Sequence, residues 1–181
     1  MDNPVPIRRL FFALWPAAAE RAAIAAWQPA LQTLCGGRAM RPQTLHCTLA
    51  FLGAVPEGRL EALHCLAREV ACPPFSLHWA AARYWGHNHI VYGAPLDPPP
   101  ALLVLVQTLQ ARLRAHHFAV EQQSYQAHVT LLRNAHWSDA PLPALPAVTW
   151  QVRDFALVQS LSDAAGARYE VLQRYAGGGL E

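Results

Sequence analysis

The chain has 181 residues, 53% of them hydrophobic and 14% charged, which is enough apolar material for a full core and argues against disorder. Its net charge of +2 is too small for a protein that wraps a polyanion, and no apolar run reaches the roughly 20 residues that a membrane span needs. All 14 basic residues are arginine, so every positive contact is made by a planar, fork-shaped donor suited to phosphate.

Taken in chain order, IRRLFFALW (7 to 15) is a short apolar run between Pro6 and Pro16 that suits a buried strand. It is too short for a secretory leader and has no small-residue cleavage site after it, so a cytoplasmic protein is expected. Residues 17 to 34 carry Ile24, Trp27, Leu31 and Leu34 at helical spacing, with a kink expected at Pro29. LHCTLAFLG (45 to 53) reads as a second strand, and Pro56 opens a helix over 56 to 70 with Leu60, Leu63, Leu66 and Val70 on one face. Strands near 75 to 84 and 89 to 93 are joined by a hairpin turn, GHN. Leu102, Leu105, Leu109 and Leu113 mark a helix from about 99 to 116. Strands are expected near 118 to 123, 127 to 133, 148 to 160 and 168 to 175, the last two joined through SDAAGA, with a flexible tail at 177 to 181. Helices interleave with strands early and hairpins follow later, so the class is α+β with mixed or antiparallel sheet. Neither G-x-G-x-x-G nor G-x-x-x-x-G-K-[ST] occurs, so nothing indicates a nucleotide cofactor held in those ways.

Cys35, Cys47, Cys65 and Cys72 form no C-x-x-C pair and lie among apolar residues, which favours buried free thiols over disulfides or a zinc site. His87 and His89 form an H-x-H in a hairpin without a third ligand at telling spacing, so no metal site is assigned.

One short motif recurs. LHCTLAF and AHVTLLR share His-x-Thr-Leu, with His46 and Thr48 in the first copy and His128 and Thr130 in the second, 82 residues later. In a strand, alternation puts His46 and Thr48 on one face and Cys47, Leu49 and Phe51 on the other, and it separates His128 and Thr130 from Val129 and Leu131 in the same way. Each strand thus presents one imidazole and one hydroxyl away from its apolar anchor. If the two strands meet, one neutral imidazole accepts a proton while a protonated one donates, which is acid-base catalysis. The threonine hydroxyls and a nearby arginine suit the oxygens of a phosphoryl group.

With its paired His-x-Thr-x motifs the chain resembles the 2H phosphoesterase superfamily. RRLFFALWP, LHCTLAFLG, HVTLLR and GARYEVLQRYA resemble, in order along the whole chain, the RNA 2',3'-cyclic phosphodiesterases, also called 2'-5' RNA ligases. The resemblance implies a single domain of two lobes, with two antiparallel sheets and flanking helices in pseudo-two-fold arrangement around a central cleft, and one motif from each lobe. It implies hydrolysis of RNA 2',3'-cyclic phosphate ends, such as those of tRNA halves, to 2'-phosphomonoesters, with reversible 2'-5' ligation in some members. Neither metal nor cofactor is implied, and a monomer is expected. By the same carry-over His46 is the proton donor to the leaving 3'-oxygen, His128 is the base that activates water, and Thr48 and Thr130 hold phosphate oxygens. Members usually have proline before the second histidine, where this chain has Ala127, and an aliphatic residue where it has Cys47.

Arg133 falls on the wrong face of an unbroken strand, five residues after His128, so it reaches the phosphate only if the strand ends or bulges near Leu132. The family pattern His-x-Thr-x-x-Arg implies that it does. By the same parity Phe51 is expected in the core, while Phe11 and Tyr125 are further candidates to stack a base. Arg8, Arg9 and Arg41 are candidates for RNA phosphates or for solvated charge. Two other functions fit the motif: a phosphodiesterase for small cyclic nucleotides or 2'-5' oligonucleotides, and a non-catalytic module that binds RNA ends.

Overall fold

Ile7–Leu14 forms strand β1, whose last five residues are all buried. The computed structural model describes residues 5–121, 123–163 and 166–176, so the expected tail at 177–181 lies outside the described residues. The helix expected over 17 to 34 is two helices, α1 (Ala18–Ala25) and α2 (Gln28–Cys35). Pro29 lies in the first turn of α2, where its missing N–H costs no hydrogen bond, so the chain restarts there instead of kinking. Gly36 closes α2 at φ 63°, and Gly37 follows at φ 79°. A Cβ on Gly37 would lie 2.6 Å from the Arg133 carbonyl oxygen, so only glycine lets this chain press so closely on the strand beside it. That close approach forms β2 (Arg38–Ala39), a strand too short to be read from periodicity.

After a 3-10 turn (Pro42–Thr44) come β3 (Cys47–Pro56), α3 (Leu60–Arg68), the hairpin of β4 (Phe75–Trp85) with β5 (Ile90–Pro95), and α4 (Pro100–Ala115). Then follow β6 (Val129–Arg133), β7 (Val148–Val152), β8 (Asp154–Asp163) and β9 (Gly166–Ala176). The strand expected at 118 to 123 is absent among the described residues: Phe118 and Val120 pack individually on the core, and Glu121 and Gln123 line a cavity. The single strand expected over 148 to 160 breaks at Arg153 into β7 and β8, which lie in different sheets.

All strand pairs are antiparallel, giving one sheet in the order β3-β1-β8-β9 and another in the order β2-β6-β5-β4-β7. The α+β class with two antiparallel sheets is therefore as expected. The pairing β1 with β3 recurs as β5 with β6, each pair flanked by helix in the intervening chain, α1 and α2 in one case and α4 in the other. One apolar core runs through both sheets, from Phe12, Leu14 and Phe155 to Leu77, Trp79 and Leu131. Burial at this scale, at about 25 cal/mol per Å² of apolar surface, is the main force holding the two sheets together. Of the four cysteines, all free, Cys35, Cys47 and Cys72 are buried as expected, whereas Cys65 on α3 is exposed, on the helix face that also carries Glu61. No helix among the described residues is long and apolar enough to cross a membrane.

Candidate active site

β3 and β6 belong to different sheets, yet both motifs open on one cavity of about 260 Å³ lined by His46, Thr48, His128, Thr130 and Arg133. None of the other seven histidines lines it.

The two imidazoles are held alike. His46 Nδ1 is 2.7 Å from the Thr44 carbonyl oxygen, and His128 Nδ1 is 2.8 Å from the Gln126 carbonyl oxygen, in each case two residues back along the chain. A carbonyl only accepts, so each Nδ1 carries hydrogen and each neutral ring presents a bare Nε2. At His46 that nitrogen accepts a hydrogen bond from Thr48 Oγ1 at 3.1 Å.

Their surroundings differ. Trp15 stacks on His46 with 5.4 Å between centroids and 14° between planes, and Phe11 and Tyr169 close in at 5.0 and 5.1 Å. Burial pushes the His46 pKa down to about 4, opposed by the Thr44 hydrogen bond and reinforced by His128 and Arg133. The Trp15 face pulls the other way, since an imidazolium over an indole gains roughly 0.5–1 kcal/mol. His128 meets the edge of Trp85 at 4.7 Å, and Trp85 stacks on Tyr92 at 3.9 Å. Burial lowers the His128 pKa too, with the Gln126 hydrogen bond opposing and Arg133 adding to the fall.

Arg133 reaches the cavity because β6 bulges. Thr130 pairs with Tyr92 and Leu132 with Val91, leaving Leu131 as the extra residue. Two consecutive leucines are thereby buried, and Arg133 returns to the face of Thr130. The bulge has a support that periodicity does not show: the buried amide of Gln28 on α2 donates through Nε2 to the carbonyls of Leu131 and Met40, at 3.0 and 2.7 Å. The only cue in the sequence is a glutamine at the start of the helix, at helical spacing with the apolar Leu31 and Cys35.

β3 bulges at the corresponding place. Thr48 pairs with Ala13 and Ala50 with Phe12, so Leu49 is the extra residue. This corrects the expectation that Phe51 is a core residue: it is 37% exposed, lines the cavity, and has the Arg9 guanidinium 5.7 Å from its ring centroid. Phe51 therefore occupies in the first motif the position that Arg133 occupies in the second. Phe11 also lines the cavity but is buried against His46, and Tyr125 lines a neighbouring concavity with its hydroxyl 3.5 Å from Cys47 Sγ. Arg8, by contrast, is ion-paired to Glu57, and Arg41 stands in an adjoining groove. The Cys47 thiol is fully buried and its pKa is raised by that burial, which keeps it an unreactive neutral group.

A model of the 2'-5' RNA ligase superfamily matches residues 14–164. The chain belongs to this superfamily. It is 32% identical over 171 residues to the RNA 2',3'-cyclic phosphodiesterase of Escherichia coli K12, covering 93% of this chain and 96% of that protein. It is 31% identical to the RNA 2',3'-cyclic phosphodiesterase of Thermus thermophilus, covering 92% and 89%. Among solved structures, E. coli LigT complexed with 3'-AMP superposes with a TM-score of 0.84 at 30% identity, covering 94% of this chain and 98% of that one. The superfamily name speaks of joining RNA, whereas both named relatives are hydrolases.

Proposed function

We propose that the chain hydrolyses RNA 2',3'-cyclic phosphate ends to 2'-phosphomonoesters by paired action of its two histidines. The observation that carries this is the pair of Nδ1-anchored imidazoles, one from each sheet, opening with Thr48, Thr130 and Arg133 on one cavity. His128 Nε2 takes a proton from water as the water oxygen bonds to phosphorus. The P–O3' bond breaks as His46 Nε2 gives its proton to the departing 3'-oxygen, and the 2'-ester stays in place. Thr48 and Thr130 donate hydrogen bonds to the non-bridging oxygens, and Arg133 stabilises the charge gathering there. No step calls for a metal or cofactor.

His46 must be protonated to act, although its free-site pKa is about 4. An anionic phosphate beside it supports the protonated form, so substrate binding itself loads the acid. Phe51, exposed at the cavity mouth, offers a face to the terminal base. When a 5'-hydroxyl replaces water as nucleophile, the same step joins two RNA ends, such as tRNA halves, through a 2'-5' bond. The protein acts as a monomer in the cytoplasm.

The test is the product formed from an oligonucleotide ending in a 2',3'-cyclic phosphate. A 2'-monophosphate is expected, and a 3'-monophosphate or no turnover would overturn the proposal.

A further inference from the structure

Two concavities adjoin the catalytic cavity, and they differ in charge. The one towards Trp85, about 190 Å³, is lined by Gln110, Glu121, Gln123 and Gln126, and by no cationic side chain among the described residues. The other, about 140 Å³, is lined by Arg38, Arg41 and Arg133, and it shares the wall of Met40, Thr44, Arg133 and Tyr169 with the cavity. Arg38 and Arg133 are direct partners across β2 and β6. Like charges so placed repel each other. Among the described residues no carboxylate lies within ion-pair distance of Arg38, Arg41 or Arg133. Arg41 is fixed by a hydrogen bond from Nη2 to the Ala167 carbonyl, so its guanidinium is held at the groove. A bridging anion would offset the repulsion, and guanidinium groups match phosphate in shape and charge.

We propose that this groove seats the internal phosphodiester immediately 5' of the terminal nucleotide, so that Arg38 and Arg41 are specificity residues for an RNA strand over a lone nucleotide. The inference rests on the hydrolytic function proposed above. A strand whose last phosphate is closed into the cyclic ester continues only through the 5'-oxygen of its terminal nucleoside. The arginine-lined concavity suits a polyanion, and the one lined by glutamines and Glu121 does not.

The test compares three substrates: a nucleoside 2',3'-cyclic phosphate, a dinucleotide ending in the cyclic phosphate, and that dinucleotide with its internal linkage replaced by uncharged methylphosphonate. With the unsubstituted chain, kcat/KM for the charged dinucleotide should exceed that for either of the others by about fivefold, as two exposed charge pairs imply. In the Arg38→Gln, Arg41→Gln double variant the advantage over the methylphosphonate should vanish, and the fall of kcat/KM with rising salt should flatten, because screening no longer acts on an arginine–phosphate contact. Equal rates on all three substrates with the unsubstituted chain would overturn the inference while leaving the hydrolytic function intact. A charged-over-neutral ratio that survives in the double variant would likewise overturn it. No hydrolysis of any of the three would overturn both.

Discussion

β3 and β6 are two versions of one device. Each is preceded directly by a histidine whose Nδ1 is tied to a carbonyl two residues back, and each carries a threonine two residues after that histidine and a bulge at the next leucine. Each bulge reverses parity, so that the residue five places after the histidine joins the cavity face. At that place the copies part: β3 presents the ring of Phe51 and β6 the guanidinium of Arg133. The surroundings part with them, for His46 lies in a box of Trp15, Phe11 and Tyr169 while His128 meets the edge of Trp85. A repeated backbone thus places both imidazoles on one cavity. The side chain after each bulge differs, an exposed ring in one half and a guanidinium in the other, and the proposed function gives the first to a base and the second to charge.

The most drastic way to break the comparison is to remove either imidazole. His46→Ala and His128→Ala should each lower kcat/KM on a cyclic-phosphate end by about 10²–10⁴ in a protein that still folds. Undiminished activity in either variant would end the acid-base scheme. The difference at the fifth position is sharpened by a matched pair. Arg133→Ala should cost about 10²–10³ in kcat, as loss of a charge-stabilising donor does. Phe51→Ala should instead raise KM by roughly tenfold and leave kcat alone, the scale of one lost base stack. Equal kcat losses in the two variants would mean that the halves are not specialised.

A smaller effect comes from the bulge support. Gln28→Leu strands the Met40 carbonyl and leaves the Leu131 carbonyl with the Met40 N–H alone, and should cost about 1–3 kcal/mol of stability. It should also lower kcat when Arg133 is present but not further in Arg133→Ala, because Gln28 acts through the position of Arg133. Additive losses in the double variant would show that Gln28 acts on kcat independently of Arg133.

The mildest test needs no substitution. Both histidine pKa values lie below the ordinary 6.5, His46 at about 4, so the free-enzyme profile of kcat/KM against pH should be a bell lying acid of neutrality. The limbs of kcat, measured with the anionic substrate bound, should move to higher pH. A kcat/KM bell centred at or above pH 7 would contradict the buried environment described for the pair. The same depression makes the unfolded chain bind the proton more readily. The contribution of His46 to stability is therefore complete above pH 6.5 and is lost as pH falls towards about 4.

The motif histidines and threonines are legible in the sequence because period two and the repeated His-x-Thr are local signals, and so are most strands and helices. Arg133 is legible only as a conflict between parity and pattern, since a bulge is set by hydrogen bonds to a neighbouring strand and to Gln28, and leaves no mark in the spacing of apolar residues. The misplacement of Phe51 in the core has the same cause. β2 has no signature because two residues have no period. Its existence depends on Gly37, whose missing Cβ lets the chain approach the Arg133 carbonyl. The aromatic box around His46 joins Phe11 and Trp15 to Tyr169 on β9, a contact only the sheet order could reveal.

The division of labour between the halves is tested most directly by a cyclic substrate with sulfur in place of the 3'-bridging oxygen. A thiolate leaves without a proton, since a thiol ionises near pH 8.5. His46→Ala should regain most of its lost rate on that substrate, while His128→Ala stays as impaired as on the oxygen ester. Rescue of His128→Ala instead, or of neither variant, would contradict the assignment of His46 as acid and His128 as base.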